Sequence, residues 1–88
     1  MVFKAATFHG MELDLESEQA RRSALESAVA NALAVAGGID ASDVTVIAAG
    51  QEIRLYGSVA TQQEVKRATA VAESVRGVRL VRNRIAVG

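Results

Sequence analysis

Cysteine, proline and tryptophan are absent from this 88-residue chain, and histidine occurs once, as His9. Without cysteine there is no disulfide framework and no thiolate for a structural zinc site, and one imidazole cannot build a metal centre alone. The absence of proline leaves glycine and capping polar residues to punctuate the loops. Two Phe and one Tyr make up the whole aromatic content. An RNA-binding sheet needs two or three stacking rings, and the alternative KH-type module needs a GxxG loop, which neither Gly37-Gly38 nor Gly50 supplies; nucleic acid is therefore disfavoured as a partner. No apolar run approaches the roughly 20 residues that a membrane-crossing helix requires.

What is present is mostly small and aliphatic. Hydrophobic residues make up 50% of the chain, with alanine and valine dominant. Such a core is filled by closely approaching backbones rather than by large rings. The length allows one domain. The net charge is zero but unevenly spread: residues 1–43 carry −4 and residues 44–88 carry +4. An acidic helix beside a basic sheet would account for this, as would an electrostatic footprint for a partner.

Residues 1–16 show no sustained period and read as a mobile arm or a short extra strand. The acids Glu12, Asp14, Glu16 and Glu18 read as a solvated lead-in to a helix, since the glycine of a calcium-binding loop is missing. A domain is expected over 17–88. Leu25, Ala28, Val29, Ala32, Leu33 and Ala36 recur at helical spacing along one face, and Gly37-Gly38 ends the helix, with Gly37 as the left-handed cap. After the Asp40–Asp43 turn, Val44, Val46 and Ala48 alternate with Thr45, Ile47 and Ala49 in a first strand. Gly50-Gln51 reverses the chain into a second strand carrying Ile53 and Leu55. Gly57, on the apolar side of that strand, points to close approach of another backbone. Thr61-Gln62-Gln63-Glu64 is a capping box that opens a second helix with Val65, Ala68, Val71, Ala72 and Val75 on one stripe. Arg76 suits that helix's negative end and Gly77 its cap, and the third strand follows. The expected fold is α+β in the order αββαβ, with two helices on one face of a three-stranded mixed sheet whose second and third strands are parallel.

The stretch GQEIRLYGSVATQQEVKRATAVAESVRGVRLVRNRIAV carries a further pattern. It has a glycine turn at Gly50, then Ile53, Leu55, Gly57 and Val59. A helix follows with Ala68, Val71, Ala72 and Val75, and the stretch closes on Gly77, Val78, Val81, Asn83, Ile85 and Val87. Fifteen positions in register resemble the BON domain, named for bacterial osmotically induced periplasmic and nodulation proteins. Upstream, Val29, Ala32, Leu33, Val44 and Val46 fit the same family. The resemblance implies a binding role rather than catalysis, bacterial stress-related proteins of the cell envelope, and contact with phospholipid. One cytoplasmic relative binds potassium, which raises the question of a weakly held cation near Asp40 and Asp43. Relatives often carry paired domains, whereas here there is a single copy. The N-terminus does not read as a secretory signal. A cytoplasmic location is expected if Met1 is the natural start, and a periplasmic one if a leader was removed.

The alternation also sorts the sheet's two faces. Gly50, Gly57, Gly77 and Val81 read as structural positions. Asn83 shares the inward phase of Val81, Ile85 and Val87, so a buried amide tying the last strand to a helix or loop is expected. The opposite face collects Ile47, Arg54, Tyr56, Leu80, Arg82 and Arg84, with Thr45, Ala49 and Glu52. Three readings fit it: a solvated face on which Glu52 pairs an arginine, a weak homo-oligomer or protein-partner contact centred on Ile47, Leu80 and Tyr56, or a site for anionic phospholipid. No Ser/His/Asp order, cysteine nucleophile or phosphate loop is present, and neither an enzyme nor a cofactor is expected.

Overall fold

The computed structural model describes the backbone of residues 2–88 and the side chains of residues 17–88. Five elements follow one another: α1 (Val2–Val35), β1 (Val44–Ala49), β2 (Glu52–Val59), α2 (Gln62–Glu73) and β3 (Leu80–Val87). The sheet order is β1-β2-β3, with β1 antiparallel and β3 parallel to β2. This is the αββαβ arrangement that the periodicities predict. Both helices lie on one face, because the core joins Val29 and Leu33 of α1 and Ala68 and Ala72 of α2 to Ala48, Ile53, Leu55, Val59 and Ile85 of the sheet. Ala68 and Ala72 are fully buried, so at these positions α2 puts no large side chain of its own between itself and the strands.

The N-terminal segment departs from expectation. Where residues 1–16 read as an arm or an extra strand, the backbone is helical from Val2, and no fourth strand joins the sheet among the described residues. With no proline to stop it, a helix nucleated by the packed Leu25–Leu33 stripe can propagate backwards, and Gly10 costs it only about 1 kcal/mol relative to alanine. Side chains from Ser17 to Ala24 are all exposed, and packing begins at Leu25. The side chains of His9, Glu12, Asp14 and Glu16 lie outside the described residues.

Two details differ from the sequence expectation or go beyond it. After α1, the left-handed residue is Gly38 (φ 83°) and not Gly37. The exit is also tied across the domain, since Arg67 of α2 donates its Nε–H to the Gly37 carbonyl at 3.2 Å, a cation at a helix C-terminal end. At the open edge of β1, the Ala48 amide donates to the Glu26 carboxylate at 2.8 Å. This covers a strand-edge donor that would otherwise be open to pairing. The only signal for it in the sequence is an acid three residues before Val29, at the margin of the apolar stripe.

Gly57 has φ 116°, a conformation that L side chains rarely adopt. A Cβ at this position would land inside van der Waals contact of the Asp43 carbonyl oxygen, which accepts from the Ser58 amide at 3.3 Å. The close backbone approach read from the sequence is therefore real, and its partner is the turn leading into β1. Gly57→Ala should lower stability by more than about 2 kcal/mol, because positive-φ strain and a backbone clash add. The midpoint of denaturant unfolding, at unchanged m-value, measures this; a shift below about 0.5 kcal/mol would contradict it.

The capping box forms as read. Thr61 Oγ1 accepts from the Glu64 amide at 3.2 Å, while Glu64 Oε2 accepts from the Thr61 amide at 3.0 Å. The carboxylate reaches further than a cap, because its Oε1 accepts from the Asp40 amide at 3.1 Å. Glu64 thus joins the start of α2 to the turn before β1. These donors, Asp40 first, hold its carboxyl below the ordinary value of 4.5 against a smaller opposing effect of desolvation. A depressed folded-state pKa gives stability that is complete above 4.5 and is lost as pH falls through the folded value. Glu64→Gln should therefore show a shallower loss of stability below pH 4.5 than the parent, as followed by thermal unfolding at stepped pH.

Candidate functional site

The face of the sheet away from the helices is built by strand alternation, and register arranges it in three rows. Thr45, Tyr56 and Arg84 lie side by side, then Ile47, Arg54 and Arg82, then Ala49, Glu52 and Leu80. All the residues expected on this face are there. None belongs to the core cluster, and Ile47, Tyr56 and Leu80 are 42%, 38% and 47% exposed.

Charge on this face is organised by one carboxylate. Glu52 Oε2 accepts from Arg54 Nε at 2.7 Å and from Arg82 Nε at 3.1 Å. The Arg54 hydrogen bond is the main cause that holds the Glu52 carboxyl below its ordinary range, with Arg82 adding less. In return Glu52 raises the Arg54 pKa, and Tyr56 adds a small part. Arg84 has no ion pair among the described residues. Three guanidiniums against one carboxylate leave the face basic.

The apolar centre expected from Ile47, Leu80 and Tyr56 is not gathered in one row. Register puts Ile47 on β1, Tyr56 on β2 and Leu80 on β3, each in a different row. Arg54 and its partner Glu52 stand between Ile47 and Leu80, because β2 is the central strand.

The structural positions also fall into place. Val81 packs against the core, while Gly50 (φ 65°) turns the hairpin and Gly77 (φ 99°) follows the end of α2. Arg76 does not sit in the last turn of α2, which closes at its C-cap Ser74; it lines a cleft with Arg21, Arg22 and the Gly50-Gln51 turn. Arg79, which alternation places poorly, precedes β3, and its amide donates to the Gln51 carbonyl at 2.9 Å. Near the first turn, Asp40 Oδ1 accepts from both the amide and the hydroxyl of Ser42, at 3.2 and 2.7 Å. Its carboxylate is engaged in a local turn.

Asn83 faces the helices as the alternation requires. Its Nδ2 donates to the Val65 carbonyl at 2.9 Å and to Thr69 Oγ1 at 2.7 Å, and its Oδ1 accepts from the Ile85 amide at 2.9 Å. A half-buried carboxamide in the apolar phase of β3 is thus satisfied by α2 on one side and by its own strand on the other.

This geometry agrees with what comparison with known families finds. A sequence model of the BON domain matches residues 21–88. The chain belongs to the BON domain family. The match is a single copy and takes in both helices' packed portions and all three strands. BON domains are regarded as binding modules, and the family is generally non-catalytic. A search of curated proteins returns no match. Among the described residues, no helix is long and apolar enough to cross a membrane.

Asn83→Ala should cost about 1–3 kcal/mol, since it strips the Ile85 amide and the Thr69 hydroxyl of their partner. Asn83→Asp should cost more, because it exchanges the two donors for a charge facing the Val65 carbonyl. Chemical denaturation of both variants, compared at one pH, checks the order.

Proposed function

We propose that this BON domain is a non-catalytic binding module that meets an anionic phospholipid surface with the open face of its sheet. The observation that carries the reading is the charge on that face: Arg54 and Arg82 share one acid, Glu52, Arg84 has no ion pair among the described residues, and neither helix covers them. Each arginine close to an anionic leaflet contributes about 1 kcal/mol, so three give a reversible, salt-sensitive attachment. Tyr56 suits the headgroup level, where an amphipathic ring keeps its hydroxyl wet, and the exposed Leu80 and Ile47 can enter the acyl boundary at the two sides of the sheet.

Self-association through the same face has less support. Its apolar residues are split by the Glu52–Arg54 pair, so two copies meeting here would oppose guanidiniums before they buried an apolar centre. At Asp40, the amide and the hydroxyl of Ser42 already occupy Oδ1 in a local turn.

Vesicle co-sedimentation tests the lipid reading. The domain should bind vesicles containing anionic lipid at low salt, and binding should fall away at high salt. Arg82→Glu with Arg84→Glu should weaken it by at least about 30-fold, the equivalent of two surface arginines. Unchanged binding by this variant, or none by the parent at low salt, would sink the reading.

A further inference from the structure

The arginines on this face are arranged more narrowly than a diffuse contact needs. We propose that Arg54, Tyr56, Arg82 and Arg84 form one discrete subsite for a phosphomonoester group. The inference rests on the sheet face being the contact surface, and it names the chemistry that face selects.

Register makes the four residues a compact block. Arg54 and Tyr56 are alternate residues on β2, Arg82 and Arg84 alternate residues on β3, and each pair stands directly across the parallel ladder. Neighbouring strands are about 4.8 Å apart and alternate residues on one face about 6.6 Å, so the four side chains rise from a block of the sheet of about that size. Together these four side chains line a depression in the otherwise open face.

Glu52 sets the arrangement without filling it. Its Oε2 takes the Nε–H of both Arg54 and Arg82. This holds two guanidiniums side by side, with Tyr56 next to that of Arg54. The Arg84 guanidinium makes no ion pair among the described residues. Two guanidiniums on one carboxylate, with a third on the neighbouring row, form a site that gains from an added anion.

A phosphomonoester matches these donors better than a phosphodiester does. It carries close to two charges at neutral pH and three terminal oxygens, enough to accept from all three guanidiniums, with the Tyr56 hydroxyl able to donate as well. A diester offers one charge and two such oxygens. The monoester could be the headgroup of a lipid or a soluble phosphate.

The test uses the full chain. Inorganic phosphate is titrated at constant ionic strength and followed by NMR through the arginine Nε–H signals and the Tyr56 ring. The expected result is a saturable shift confined to Arg54, Tyr56, Arg82 and Arg84, weakened at least fivefold in Arg84→Lys, whose amide spectrum shows that the fold is kept. Lysine preserves the charge and loses the fork, so this variant separates a built site from general attraction. Vesicles of phosphatidic acid and of phosphatidylglycerol at matched surface charge identify the source. A saturable phosphate shift with preference for phosphatidic acid assigns a lipid headgroup. The same shift without that preference assigns a soluble phosphomonoester. No saturable shift overturns the subsite; if both vesicles still bind, the broader lipid reading stands, and if neither binds, both fail.

Discussion

The Asn83 carboxamide donates to Val65 and Thr69 on α2 and accepts from Ile85 on its own strand, and this fixes which way round β3 faces. Side chains on a strand alternate, so a slip of one residue would send Arg82 and Arg84 into the core and Val81 and Ile85 into water. Apolar burial alone already opposes that slip. The carboxamide sharpens the choice, because an amide drawn even half out of water needs its partners waiting. With β3 held in this phase, Arg82 falls beside Arg54 and Arg84 beside Tyr56. The candidate site on one face therefore depends on the packing and the polar bonds of the other.

A second set of constraints works at the backbone level. The turn into β1 is pressed against Gly57, tied to Glu64 through the Asp40 amide, and pinned locally by Ser42. With an aliphatic core that holds no aromatic ring among its described residues, this domain draws part of its specificity from elsewhere than side-chain shape. Close approach at Gly57 and the capping carboxylate at Glu64 supply that part. The Glu26–Ala48 bond belongs to the same economy of means: one helix acid occupies a strand-edge donor. The β1 edge is thereby less available to a second chain than the sheet's open face is.

Much of this was legible in the chain itself, for reasons particular residues make clear. The alternation of β1, β2 and β3 assigned every member of the basic face correctly, because sheet geometry has a period of two and the inward positions are almost all aliphatic. The capping box at Thr61 and the demand for glycine at position 57 are local steric and hydrogen-bonding requirements, and such requirements leave a mark on sequence. Elsewhere the local signal misled. Gly37 and Gly38 are equivalent as letters, and only the packed position of α1 selects Gly38 for the left-handed turn. The helical backbone before residue 17 arises by propagation from a packed stripe, which no short window of sequence contains.

By itself, then, the sequence determined the element order, the two faces of the sheet and membership of a family whose pattern is mostly small and aliphatic, since each depends on local periodicity and on turn chemistry. Register and partner choice were decided only in three dimensions. That Glu52 would hold Arg54 and Arg82 together, that Ile47 and Leu80 would be kept apart, and that Arg84 would stand without an ion pair among the described residues all follow from which residues lie opposite one another. Pairing across strands joins residues up to 30 positions apart, such as Glu52 and Arg82, and no periodicity along the chain encodes that distance.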